Sequence, residues 1–287
     1  MESESTVTTC YRHPKVESYV RCTRCERFIC PACMREAAVG HQCPECVKEG
    51  ARSVRRARTV VGGRVSAVPL VTYVLIGLNV LAYLAEVVDE DVVDRFAMLG
   101  STPRGYVPWG VAHGEWYRLL TGAFLHQPPT QGTFGILHIV MNMVSLWNLG
   151  RVVEAQLGRI RYVALYLLSA LGGSVLVLLI TPMVFTVGAS GAIFGVGAAY
   201  YVLARRLGAD MGQVNRFMAG LLLWLVISAG LTSWQGHLGG LLTGGAVALA
   251  FAHAPRDERR PWIQAGVCVA LLVLLVVCAW AKVHQLT

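Results

Sequence analysis

Residues 162–184 read YVALYLLSALGGSVLVLLITPMV, an unbroken run without a charged side chain, set just behind Arg159 and Arg161. A helix rises ~1.5 Å per residue, so about 20 mostly apolar residues cross the ~30 Å hydrocarbon layer of a bilayer, and this stretch is long enough. Six further apolar segments flank it, at 68–87, 134–153, 187–204, 217–231, 236–253 and 262–281, of which 217–231 is the shortest. The 287-residue chain is 55% hydrophobic and 15% charged, against the ~25% charged fraction usual in soluble domains. That excludes an ordinary soluble enzyme and predicts an all-α polytopic membrane protein.

The charges between these segments set an orientation. The chain has 25 Lys or Arg and 17 Asp or Glu, a net +8, and every second connection is basic. Arg52, Arg55, Arg56, Arg58 and Arg64 precede the first segment; Arg151, Arg159 and Arg161 follow the second; Arg205, Arg206 and Arg216 follow the fourth; Arg256, Arg259 and Arg260 follow the sixth. The other connections are acidic or neutral, as in Glu86, Asp89, Glu90, Asp91 and Asp94. Short cytoplasmic loops are enriched in Lys and Arg, so the N-terminus is expected in the cytoplasm and the C-terminus outside. No apolar leader opens the sequence, and the N-terminal residues are expected to stay on the side where they are made. The long connection 89–133, with Tyr106, Trp109, Trp116 and Tyr117, is expected to pack on or into the outer leaflet, either shaping access to a membrane site or anchoring at the interface.

The first 46 residues carry Cys10-x-x-His13, Cys22-x-x-Cys25, Cys30-x-x-Cys33 and Cys43-x-x-Cys46. Two residues between ligands let a tight turn aim both side chains at one ion, and thiolate and imidazole in fours suit tetrahedral Zn²⁺, so two structural zinc ions are expected. A disulfide framework competes, but a reducing cytoplasm favours metal. Interleaved sites, Cys10, His13, Cys30 and Cys33 on one ion and Cys22, Cys25, Cys43 and Cys46 on the other, resemble B-box and RING zinc folds. Spacing alone leaves this pairing open, and His41 is a ninth candidate where eight suffice. Four protein ligands leave no open coordination position, so the module reads as a structural cap or a platform for a cytoplasmic protein partner, not as a catalyst. The neighbouring arginines face anionic lipid, and no nucleic acid is expected.

Polar groups inside hydrocarbon are costly and point to function. His138 and Asn142 form H-x-x-x-N in the second segment, Ser190 lies in Gly188-Ala189-Ser190-Gly191 at the start of the fourth, and His237 lies in Gly236-His237-Leu238-Gly239-Gly240 in the sixth. Each alone has a structural explanation, such as helix–helix hydrogen bonding or small-residue packing. Together they are the parts of an acyl-transfer site. A serine hydroxyl needs an imidazole to take its proton, which pairs Ser190 with His237. Gly188, Gly191 and Gly195 on one segment and Gly236, Gly240 and Gly244 on the other would let their helices approach closely enough. His138 and Asn142, four residues apart on one helical face, would join the Ser190 N–H in holding a tetrahedral oxyanion.

These residues resemble, in order and spacing, the rhomboid family of intramembrane serine proteases over approximately 68–281. The resemblance implies a six-helix catalytic core, here with a seventh helix packed against it, a Ser190–His237 dyad without a third acid, and oxyanion donors His138 and Asn142. It implies hydrolysis through an acyl-enzyme of peptide bonds in or near the transmembrane helices of substrate proteins, in a bacterial plasma membrane, with the fifth helix as a lateral gate. Phe194 stands where the family often has Tyr and is expected to stack on His237. Tyr117-Arg118 replaces the family's Trp-Arg and is expected to keep its structural role. The expected divisions are a zinc module at 1–50, a basic linker at 51–66, the core at 67–253, and a cytoplasmic loop with the seventh helix at 254–287. A non-proteolytic rhomboid-like protein that binds transmembrane helices is the alternative. A transporter is a weaker reading, since no acidic residue sits mid-membrane and no internal repeat is evident. Glu154 is read as a helix-end polar anchor.

Overall fold

A computed structural model describes residues 8–53, 57–89, 91–103, 105–128, 133–230 and 232–287. Arg55 and Arg56 of the basic stretch, Glu90 of the acidic loop and position 231 of the fifth segment lie outside the described residues. The chain divides into two compact units, Met1–Arg56 and Ala57–Thr287.

The first unit is built from turns and very short strands. Strands β1 (Thr9–Cys10) and β2 (His13–Glu17) pair antiparallel, as do β3 (Arg35–Glu36) and β4 (His41–Gln42), and helix α1 (Pro44–Ser53) closes the unit. Its buried cluster is Cys10, Cys22, Ile29, Cys30, Cys33, Cys43 and Cys46. Such a core removes too little apolar surface from water to hold a fold of this size, so the cysteines must contribute through their chemistry.

The second unit is helical. It runs through α2 (Leu70–Val88), α3 (Asp91–Phe96), α4 (Arg118–Thr121), α5 (Thr133–Ser145), α6 (Arg151–Leu157), α7 (Arg159–Ile180), α8 (Ser190–Leu207), α9 (Met211–Ile227), α10 (Trp234–His253) and α11 (Arg260–Leu286). A π-helical turn, Leu146–Gly150, joins α5 to α6. Among the described residues, α2, the run Gly135–Leu157, α7 and α11 are long and apolar enough to cross a membrane, and α9 is a shorter apolar helix. In α8 and α10 glycine replaces many of the large apolar side chains, and much of their length is buried against each other and α7.

Several ends differ from the sequence reading for local reasons. Helix α7 stops at Ile180 because Thr181 leaves helical geometry and Pro182 follows. Helix α8 starts at Ser190, after Gly188 with φ 132°. Helix α11 begins earlier than expected, with Pro261 in its first turn, where a missing N–H costs nothing. It packs on α7, with Ala279, Leu275 and Cys278 against Leu171, Val175 and Leu178. Gln264 ties it further to the carbonyls of Val61 and Phe251.

The N-terminus of α2 has no side-chain cap of its own. Buried Glu154 of α6 supplies one, its carboxylate accepting from Val71 N at 3.1 Å, Thr72 N at 2.8 Å and Thr72 Oγ1 at 2.8 Å. A carboxylate on free N–H groups at a helix start satisfies orphan donors and the helix dipole together. The connection before α5 is organised by Arg118, which is 1% exposed. Its Nε donates to Glu115 Oε2 at 2.7 Å and its Nη1 to the carbonyls of Asp94 and Ala97 at 2.7 and 2.9 Å. Burial by itself would raise the Glu115 carboxyl, but the Arg118 guanidinium and the Gly110 N–H outweigh it and hold it below the ordinary carboxylate range.

Candidate active site and metal centre

Ser190 is the first residue of α8, and His237 stands in the first turn of α10, which Ser233 caps by accepting from Gly236 N. The two helices are in backbone contact there. A Cβ on Gly240 would overlap the carbonyl of Gly191, and one on Gly244 would overlap the backbone of Gly195. With no side chains between the helices, His237 Nε2 comes to 2.8 Å from Ser190 Oγ. That is hydrogen-bond distance for a base and its nucleophile.

The His237 ring is 3% exposed and stacks on Phe194, with centroids 4.4 Å apart and planes 12° apart. Its Nδ1 has no hydrogen-bond partner among the described residues, so the ring is oriented by stacking and by the serine. His138 approaches from α5. A Cβ placed on Gly188 would lie 3.1 Å from His138 Cε1 and Nε2 and 3.4 Å from Ser190 Oγ, so the absence of a side chain at 188 leaves the histidine room beside the serine. Asn142 is buried, and its Nδ2 donates to the His138 carbonyl at 2.9 Å, leaving the second hydrogen of that amide for another acceptor.

Ser190 and His138 line two adjoining cavities of about 350 Å³ each. Gln127, Gly188 and Trp234 contribute to one, and Asn142, Phe194, Trp224 and His237 to the other. Gly191 lines the first as well as contacting α10. Arg118 stands apart from both cavities and acts on the loop.

Sequence reasoning counted Glu86 among the outer acidic charges. Instead it belongs to α2 and is fully buried, its carboxylate accepting from His126 N at 3.0 and 3.2 Å. A signal was present. Thr72, Leu75, Asn79 and Glu86 recur at helical spacing and are the buried residues of α2.

In the N-terminal unit the structure groups Cys10, His13, Cys30 and Cys33 at one centre and Cys22, Cys25, Cys43 and Cys46 at another, with the ligand atoms of each within 4.8 Å of one another. His13 Nδ1 lies 3.2 Å from Cys30 Sγ and 3.4 Å from Cys33 Sγ. None of the nine cysteines is in a disulfide. Backbone donors favour thiolates at two of these cysteines, Cys43 N donating to Cys22 Sγ at 3.2 Å and Cys46 N to Cys43 Sγ at 3.3 Å, whereas burial and the neighbouring sulfurs push the Cys33 and Cys46 thiols up. Burial would raise the Cys22 thiol, but the N–H groups of Cys43, Arg24 and Cys25 outweigh it and bring it down to about 6. Arg27 adds a cation, with Nε 3.3 Å from Cys25 Sγ. The donor set fits a zinc-binding module.

A polytopic helical unit with a serine–imidazole pair at the heads of two glycine-packed helices defines the class. The Rhomboid domain matches residues 113–254. The chain is 30% identical over 197 residues to the protein named "Putative rhomboid protease YdcA" of Bacillus subtilis (strain 168), covering 67% of this chain and 92% of YdcA. It is 30% identical over 216 residues to the rhomboid protease GluP of the same organism, covering 71% of this chain but only 39% of GluP. It is 34% identical over 155 residues to the mitochondrial RHOMBOID-like protein 6 of Arabidopsis thaliana, covering 51% of this chain and 47% of that protein. The chain belongs to the rhomboid family.

Proposed function

We propose that this protein is an intramembrane serine endopeptidase that hydrolyses peptide bonds in or near the transmembrane helices of other membrane proteins. The observation that carries the reading is the 2.8 Å contact between His237 Nε2 and Ser190 Oγ. Membership of the rhomboid family and relatives bearing protease names support it.

In the first half-reaction His237 Nε2 takes the hydroxyl proton as Ser190 Oγ attacks the scissile carbonyl carbon, and the carbonyl π pair moves to oxygen. His138, Asn142 and the Ser190 N–H hold that oxyanion, each donor worth about 3 kcal/mol in comparable sites. Collapse breaks the C–N bond, and the leaving amine takes the proton from His237. Water, deprotonated by His237, then attacks the Ser190 ester and releases the new carboxyl terminus and the free hydroxyl. Substrate enters sideways past α9, whose Phe217, Leu221 and Trp224 line the cavity; this gate rests on analogy with the family.

The protein works in the plasma membrane with its N-terminus cytoplasmic and its C-terminus outside, a reading supported by the alternation of basic connections. The two N-terminal centres hold structural Zn²⁺, Cys10, His13, Cys30 and Cys33 on one and Cys22, Cys25, Cys43 and Cys46 on the other. Zinc there contributes folding free energy and no chemistry at Ser190.

The test is cleavage of a transmembrane substrate by purified protein in liposomes. Ser190→Ala and His237→Ala are expected to abolish product at unchanged expression. Persistent cleavage by Ser190→Ala would discard the nucleophile, and binding without cleavage by the unaltered protein would make it a helix-binding protein instead.

A further inference from the structure

Glu86 is a carboxylate in a membrane-spanning helix, and among the described residues it has no cation as partner. It lies two residues from the end of α2, and a buried carboxylate is costly unless its oxygens are occupied. Both oxygens converge on one donor, the N–H of His126. That grip fixes the peptide leading into Gln127. The His126 ring takes no part in it, because neither ring nitrogen has a hydrogen-bond partner among the described residues. The ring sits edge-on to Tyr83, centroids 6.5 Å apart at 87°, and 5.2 Å from the ring of His138.

The next N–H along the chain, that of Gln127, donates to His138 Nδ1 at 3.4 Å. An imidazole nitrogen that accepts a hydrogen bond carries no proton, so the neutral ring of His138 is protonated at Nε2. The Cε1–Nε2 edge of that ring borders Gly188, each atom 3.1 Å from where a Cβ would stand, a point that is itself 3.4 Å from Ser190 Oγ. The loop backbone therefore selects the tautomer that makes His138 a donor where an oxyanion would form.

From this geometry we infer that Glu86 is a positioning residue for the reaction, acting through the His126–Gln127 backbone to hold His138 in its Nε2–H tautomer facing the serine. The inference rests on the protease reading above and adds a residue from α2 to the machinery.

Its test uses the full chain in liposomes with a transmembrane substrate and, in parallel, nitrogen NMR of protein labelled with ¹⁵N-histidine. The spectrum of the unaltered protein is expected to show His138 protonated at Nε2 with an accepting Nδ1. Glu86→Ala is expected to lower kcat about 10- to 100-fold at a KM within about twofold, since an oxyanion donor acts in the transition state and not on bound substrate. Glu86→Gln, which keeps one acceptor oxygen, should lose less, and both should shift the Nδ1 resonance of His138. The double variant Glu86→Ala/His138→Ala should be no slower than His138→Ala alone, which a purely structural role would not produce.

A wild-type kcat in Glu86→Ala, additive losses in the double variant, or His138 protonated at Nδ1 in the unaltered protein overturns the inference. The last measurement stands even if the variants fail to fold. Failure of the protease reading looks different, because the unaltered protein would then leave substrate intact whatever the tautomer of His138.

Discussion

In the N-terminal unit eight side chains converge from turns, short strands and the first turn of α1 on two centres, around a core that is mostly cysteine. In the membrane unit two side chains, Ser190 and His237, meet because the helices carrying them have shed the side chains that would keep them apart. The first arrangement gathers ligands at close spacing in sequence, so a bound ion can supply the stability that the chain lacks. The second joins residues 47 positions apart, and the surrounding helices must supply all of the order before any chemistry occurs. Removing one ligand should therefore undo the first unit as a fold, while removing one reactive group should leave the second unit folded and silent.

The largest expected effect lies in the dyad. His237→Ala should reduce kcat/KM by roughly four orders of magnitude or more, and Ser190→Ala/His237→Ala should be no slower than the worse single variant, because the two act as one unit. Independent losses in steady-state kinetics would break the comparison. Next, Gly240→Val forces a side chain into the Gly191 carbonyl. It is expected to destabilise the membrane unit by about 1–3 kcal/mol and to lower kcat far more than KM. A thermal midpoint and rate equal to those of the unaltered protein would show that helix packing does not set the dyad.

A smaller effect is expected at the Arg118–Glu115 anchor. The folded Glu115 carboxyl sits below its ordinary range, so its stabilising contribution is complete at neutral pH and is lost as pH falls through that lowered value. Protection from hydrogen exchange around 110–121, taken relative to the intrinsic rate at each pH, should fall on acidification, and Glu115→Gln should weaken this dependence while lowering protection at neutral pH. The smallest effect on cleavage is expected from chelation or Cys25→Ser. Either should unfold the N-terminal unit, seen by proteolysis of that region in the intact chain, while cleavage by the membrane unit continues. Loss of cleavage together with the N-terminal fold would show that the two units are not independent.

Much of this arrangement could be read from residue order. The apolar segments announced the helices; some ends shifted where Pro182, Gly188 and Pro261 acted locally, and α9 runs from Met211 to Ile227, six residues earlier at its start than the apolar run 217–231. The glycines at 191, 195, 240 and 244 announced a close approach, since in hydrocarbon small residues are what let backbones touch. The part played by Glu154 was legible only as a polar helix end; its partners, Val71 and Thr72, lie more than 80 positions away. Glu86 was misassigned because a carboxylate near a helix end looks like a loop charge until the buried face of α2 is known.

Hydrophobic length and charge alternation, which depend only on composition along the chain, gave a polytopic membrane unit and a separate Cys/His module from the sequence alone. Paired spacing likewise marked eight Cys and His side chains as candidate metal ligands. The tertiary structure decided how those ligands pair, that Glu86 grips the backbone ahead of His138, and that His237 reaches Ser190. Such contacts depend on distances between residues remote in sequence, and these are fixed by how helices pack and loops close, which local chemistry does not encode.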